Sequence, residues 1–160
     1  MIKTLHKPLK SQALLRTGIG GSKVVLEGAV FVFPRMHHLE TLDLTIKTFT
    51  LRQAVLCKDQ TTVMMEALFY LSIDCSPSSI QLAARKIGSE RSFNQEALKE
   101  IFEPKFIVAL RNVAATMDRS TLQIKSPALK LEIMKAVGVD LNGYVLEDCI
   151  VNTIDVLPTL

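Results

Sequence analysis

The chain has 160 residues, 48% of them hydrophobic, and carries 19 Lys and Arg against 16 Asp and Glu for a net charge of +3. A single domain of this length buries roughly 70% of the surface its unfolded chain exposes, so neither metal nor disulfides are needed to build a core. So mild a charge argues against nucleic acid, which needs Lys and Arg clustered on one face, while permitting weak attraction to anionic lipid or an acidic partner.

Residues 1–11 are polar, carry Lys3, Lys7 and Lys10, and read as a loose basic arm ahead of one domain spanning residues 12–157. Gly18, Gly20, Gly21 and Gly28 then separate the short apolar runs Ala13-Leu14-Leu15, Val24-Val25-Leu26 and Val30 to Phe33. Such punctuation predicts strands joined by tight turns, with Pro34 ending the third. Leu42, Leu44 and Ile46 alternate with polar residues, which predicts a further half-buried strand. Lys58-Asp59-Gln60 reads as a turn. Beyond it Val63, Met65, Ala67, Phe69, Leu71 and Ile73 share one parity, predicting a long strand with one wholly apolar face. Thr62, Glu66, Tyr70 and Ser72 fall on the other, wetter face.

The period changes at Ser76. Ser76-Pro77 supplies an N-cap and a first-turn Pro. Ile80, Ala83, Ala84 and Ile87 follow at helical spacing, and Gly88 is placed to stop the helix. Ser92-Phe93-Asn94-Gln95 reads as a capping box for a second helix striped by Leu98, Ile101, Phe102, Phe106, Leu110, Val113, Ala114 and Met117. Pro104 is expected to kink or split it. Asp118 and Ser120 are candidate caps for a short turn. Ser126-Pro127 opens a third helix, expected to reach about Asn142 before Gly143 closes it, and Tyr144 to Ile154 predicts a final strand. Strands first, helices next and one strand last favour an α+β fold, an antiparallel sheet with helices packed on one face.

Few residues suggest chemistry. Thr17-Gly18-Ile19-Gly20-Gly21-Ser22-Lys23 resembles a phosphate loop in composition, but Ser22 precedes Lys23 and a strand-like Val24-Val25 follows where a helix is required. A glycine-rich β-turn is the better reading. His37-His38 has no third metal ligand at familiar spacing. Cys57-Lys58-Asp59 has no placed general base for an activated thiol. Cys57, Cys75 and Cys149 form no C-x-x-C pair and read as small core residues in a reducing compartment. Glu96, Glu100 and Glu103 read as the solvated side of the second helix. No catalytic, cofactor or metal residue is assigned. No apolar run is longer than that of Ala29 to Phe33, which falls far short of the roughly 20 residues of a membrane-crossing helix, and Met1 to Pro8 lacks the apolar centre of a secretory signal.

Taken together, Leu15 to Gly28 closely resembles the opening of the flotillin-type band-7 domain, in the superfamily of stomatin, prohibitin and flotillin. The usual Arg-Thr-Gly-x-Gly-Gly-x-Lys-Val-Val is matched from Arg16 to Val25. Phe33-Pro34-Arg35-Met36-His37 fits the family's apolar-Pro-x-x-His turn. Lys58-Asp59 with Val63, Ala67 and Phe69 fits its central hairpin. Ala97 to Phe106 and Ala109 to Ala115 fit its second helix. The resemblance covers residues 12–156 and is greatest for the bacterial flotillin-like branch.

It implies an antiparallel sheet with packed helices and a non-enzymatic scaffold, self-associating at a membrane without a cofactor and organising microdomains. The implied partners are further copies of itself in the full-length context, and membrane lipid or a membrane protein. A peripheral, cytoplasmic placement follows. Family members usually add an N-terminal hydrophobic anchor and a C-terminal coiled coil; neither falls within these residues, so an excised domain or a short paralogue is expected. Val30, Phe31 and Phe33 beside Pro34 are the expected lipid-facing tip, although the same run also reads as plain core strand. Two other functions fit less well. One is a soluble adaptor for a membrane protease or other partner protein, using an exposed strand edge. The other is a nucleotide-binding enzyme using Gly18 to Lys23.

Overall fold

The alternating and helical periods are realised as eight strands, four α-helices and a 3-10 turn among residues 2–158, which the computed structural model describes. The fold is α+β, and β1 with β4, β2 with β3 and β5, and β6 with β7 all pair antiparallel. Two compact units form: residues 1–46, 72–98 and 140–145, and residues 47–71, 99–139 and 146–160.

In the first unit, strand β2 (Gln12–Gly18) lies between β3 (Lys23–Val25) and β5 (His37–Asp43), with Leu14 opposite Val25 and Thr41. Residues 4–6 correct the expectation of a loose arm. They form β1 (Thr4–His6), paired with β4 (Val30–Val32) so that Leu5 faces Phe31. The Thr4 hydroxyl donates to the Val32 carbonyl at 3.2 Å and helps hold that pairing. Leu14, Val25, Val30 and Val32 gather with Leu39 into a hydrophobic cluster. Helix α1 (Pro77–Lys86) packs on β2, β3 and β5. Ser76 caps it, its Oγ accepting the Ser79 N–H at 3.3 Å, and Gly88 follows with a positive φ of 106°.

In the second unit β7 (Thr62–Ile73) runs between β6 (Lys47–Leu56) and β8 (Tyr144–Val156). Val63, Met65, Ala67, Phe69 and Leu71 are all fully buried, as their parity predicts. Helix α2 (Gln95–Ala115) lies on that face, where Phe106 stacks on Phe69 at 4.3 Å between ring centroids. Helices α3 (Arg119–Gln123) and α4 (Pro127–Val137) follow, the first with Asp118 at its N-cap.

Several predicted boundaries move. The alternation at 42–46 does not continue as strand, because the Asp43 carboxylate accepts both the N–H and the hydroxyl of Thr45 and bends the chain between β5 and β6. Ser92 does not cap α2; it is buried, accepts the Asp43 N–H at 2.9 Å and donates to the Ser89 carbonyl. Asn94 does the capping, its side chain accepting the Ala97 N–H at 3.1 Å. Pro104 sits within one unbroken helix, on its exposed side. Helix α4 stops at Gly138, with φ at 77°, well short of Asn142. Ser72 is buried despite its place on the wetter face of β7, and Cys75 is exposed while Cys57 and Cys149 are buried.

Candidate interaction surface

The glycine-rich string forms a hairpin between β2 and β3. Strand, not helix, follows Lys23, so its backbone donors do not converge as a helix-capped phosphate loop requires. The Gly21 N–H donates to the Gly18 carbonyl at 3.0 Å and closes the turn. Gly18 has φ at +121°, and a Cβ there would lie 2.1 Å from the Met36 carbonyl oxygen, so the hairpin and the turn before β5 touch through bare backbone.

The second turn is built on Phe33. Its carbonyl accepts the N–H groups of Met36 and His37, both at 2.9 Å. Its own N–H donates to His37 Nδ1 at 3.1 Å. Nδ1 is therefore the bare ring nitrogen, and Nε2 donates to the Ile19 carbonyl at 3.0 Å. One imidazole thus ties the two turns together. His38 has no part in this and lies instead along a groove beside β5. Among the described residues no group of three or more His, Cys, Asp or Glu is placed to hold a metal ion.

Around these turns the surface is apolar and basic together. Ile19 is 66% exposed, Leu5 53%, Phe31 47% and Met36 41%. Lys3 Nζ stands 3.6 Å above the Phe31 ring and 5.7 Å from that of Phe33. Arg16 donates to the Phe31 carbonyl at 3.1 Å and is paired across the ladder with Lys23. Of the three residues expected at the tip, Phe31 stands outward, Phe33 is half-buried against the His37 ring, and the Val30 side chain belongs to the core cluster.

Leu5, Ile19 and Met36 join this surface without having been expected there. A signal for it does exist in the sequence. Residues 1–38 hold six Lys and Arg and one Glu, a net +5, which leaves the other 122 residues at −2 against the whole-chain +3. The whole-chain charge conceals that asymmetry.

The buried ionisable groups lie elsewhere. Burial, with the Asp148 carboxylate alongside, pushes the Cys149 thiol up to about 12. Burial beside Asp43 raises the Tyr144 phenol as well. Neither group is poised to ionise near neutral pH.

The sequence matches the family model described as "SPFH domain / Band 7 family" over residues 10–159. It is also 34% identical over 143 residues to the flotillin family inner membrane protein YqiK of Escherichia coli (strain K12). That alignment covers 85% of this chain and 26% of the relative, so the chain spans about a quarter of that protein's length.

Proposed function

The chain belongs to the SPFH domain / Band 7 family, and from that premise we propose that it is the scaffold module of a flotillin-type protein, held against a membrane by the basic, apolar surface of its first unit. The observation that carries this reading is the coincidence of exposed Leu5, Phe31, Ile19 and Met36 with a +5 segment. Apolar side chains at a lipid headgroup layer gain burial, while Lys and Arg meet anionic phosphate. The similarity to an inner membrane protein of the flotillin family supports the same placement. No helix among the described residues is long and apolar enough to cross a membrane; the contact with lipid in this reading is a peripheral one, made through the exposed apolar and basic residues of the first unit. The family is a membrane-associated and generally non-enzymatic one, and the module acts by presenting surfaces. Self-association into larger assemblies and organisation of microdomains belong to this reading, in the context of a longer chain.

Flotation with vesicles tests it. The protein is expected to float with vesicles of phosphatidylcholine mixed with phosphatidylglycerol, and to stay at the bottom with phosphatidylcholine alone. Phe31→Ser combined with Leu5→Ser should abolish flotation while the circular dichroism spectrum is retained. Unchanged flotation of that folded variant would remove the proposed surface.

A further inference from the structure

A second surface, in the other unit, is independent of the lipid reading. Strand β6 is an edge strand, with β7 on one side only. The Cys57 N–H donates to the Thr61 carbonyl across the hairpin. By antiparallel alternation, the backbone groups of Val55, Gln53 and Leu51 therefore pair with β7, while those of Leu56, Ala54 and Arg52 point away. Two outward groups next to this stretch have internal partners: the Lys58 N–H donates to the Met117 carbonyl at 3.0 Å, and the Ala54 carbonyl accepts Gln53 Nε2 at 3.0 Å. Between them the edge opens onto a groove of about 570 Å³ shared with the C-terminal half of α2.

The floor of the groove is apolar, formed by Ala54, Val55, Leu56 and Ala115. Its charged residues are Lys58 and Arg111, both exposed, and no carboxylate lines it. The nearby Asp59 carboxylate is taken up by the N–H groups of Thr61 and Arg119, at 3.2 and 3.3 Å. The corresponding groove beside β5 differs, since Glu40 and Glu90 line it together with Arg91 and it has no charge of one sign. Unpaired strand edges accept strands, and the two cations select which.

We propose that the β6 edge is a docking site for an extended acidic segment of a partner protein, added as a further strand. The segment's backbone pairs with the outward groups of Leu56 and Arg52, its apolar side chains lie beside exposed Leu56 on one face of the sheet, and its carboxylates, on the face turned to α2, meet Arg111 with Lys58 close by.

The test uses three fluorescein-labelled seven-residue peptides alternating Val with Glu, Gln or Lys. The Val-Glu peptide is expected to bind at least tenfold more tightly than the Val-Gln peptide by fluorescence anisotropy, and the Val-Lys peptide not at all. Amide NMR shifts should concentrate at residues 52–58 and 111–115. Lys58→Gln with Arg111→Gln should erase the preference for Glu over Gln. Leu56→Pro, which removes one outward N–H and none of the β7 ladder, should weaken binding of the Val-Glu peptide at least tenfold. Equal affinity for all three peptides, or shifts centred elsewhere, would overturn the proposal. So would competition by millimolar inorganic phosphate without any role for Leu56, which would mark a simple anion site. Self-association that Leu56→Pro abolishes would also overturn it, by making a second copy the occupant.

Discussion

Gly18 and Gly20 are two residues apart in the same hairpin, yet their replacement should differ in cost. Both have positive φ, but a Cβ on Gly20 meets nothing within 4 Å, whereas on Gly18 it lies 2.1 Å from the Met36 carbonyl oxygen. Gly20→Ala should cost about 1–2 kcal/mol, the penalty of a left-handed L-residue. Gly18→Ala adds a backbone collision and should cost about 3 kcal/mol or more. Urea unfolding of the two variants measures the difference, and equal costs would show that the two turns separate freely. Cys149 gives a residue-scale prediction of opposite character. Its folded pKa is raised to about 12 from 9.0, so its contribution is fully present below pH 9 and lost as pH climbs toward 12. In that window the unfolded thiol has lost a proton the native one keeps, and stability should fall by about 1.4 kcal/mol per pH unit from this group. The raised Tyr144 phenol adds to the fall above pH 10. Cys149→Ala should therefore make the decline between pH 9 and 10 distinctly shallower in unfolding titrations.

At the scale of elements, local signals were legible where the side chain that carries them finds all its partners within a few residues. Ser76 is such a case: its hydroxyl caps α1 and donates to Asp74 at 2.8 Å. Ser76→Ala should lower stability by about 1 kcal/mol. The Ser79 and Ser76 hydroxyls hold the Asp74 carboxyl below its usual value. That support is complete above pH 4 and disappears as pH falls through the lower folded value. Asp74→Asn should accordingly lose less stability than the parent protein between pH 5 and pH 2. Ser92 shows why other boundaries were not legible. Its sequence context is that of a cap, but the N–H of Asp43, 49 residues away, takes the hydroxyl, and Asn94 two residues on does the capping. The same Asp43 ends β5 through Thr45, cutting an alternation that by period alone continues. The β7 face was legible in full because a strict parity over 12 residues has no helical alternative. The three-residue β1 was not, since its pairing with β4 is a tertiary choice that a polar, Lys-rich stretch does not announce.

For the molecule as a whole, the charge distribution decides what kind of membrane contact is available. Residues 1–38 carry +5 and the remainder −2, so attraction to an anionic surface acts chiefly on that amino-terminal segment of the first unit. Each Lys or Arg near such a surface contributes about 1 kcal/mol. Replacing Lys3, Lys7 and Lys10 together by Gln should thus weaken partitioning onto phosphatidylglycerol-containing vesicles by about 3 kcal/mol, over a hundredfold. Lys3 is the informative member, because it also stands over the Phe31 ring, and on the proposed membrane placement its ammonium would meet the headgroups where Phe31 inserts. Salt separates the two contributions. Raising ionic strength from about 0.15 M to about 1 M shortens the screening length from about 8 Å to about 3 Å and should strip most of the electrostatic part, leaving the apolar part of Leu5, Phe31, Ile19 and Met36 intact. Vesicle binding of the parent protein at high salt should then fall below that of the Lys→Gln variant at low salt, which keeps Arg16, Lys23 and Arg35. Binding that is insensitive to salt, yet lost on Phe31→Ser, would assign the contact to apolar insertion alone and leave the basic segment to meet something other than lipid.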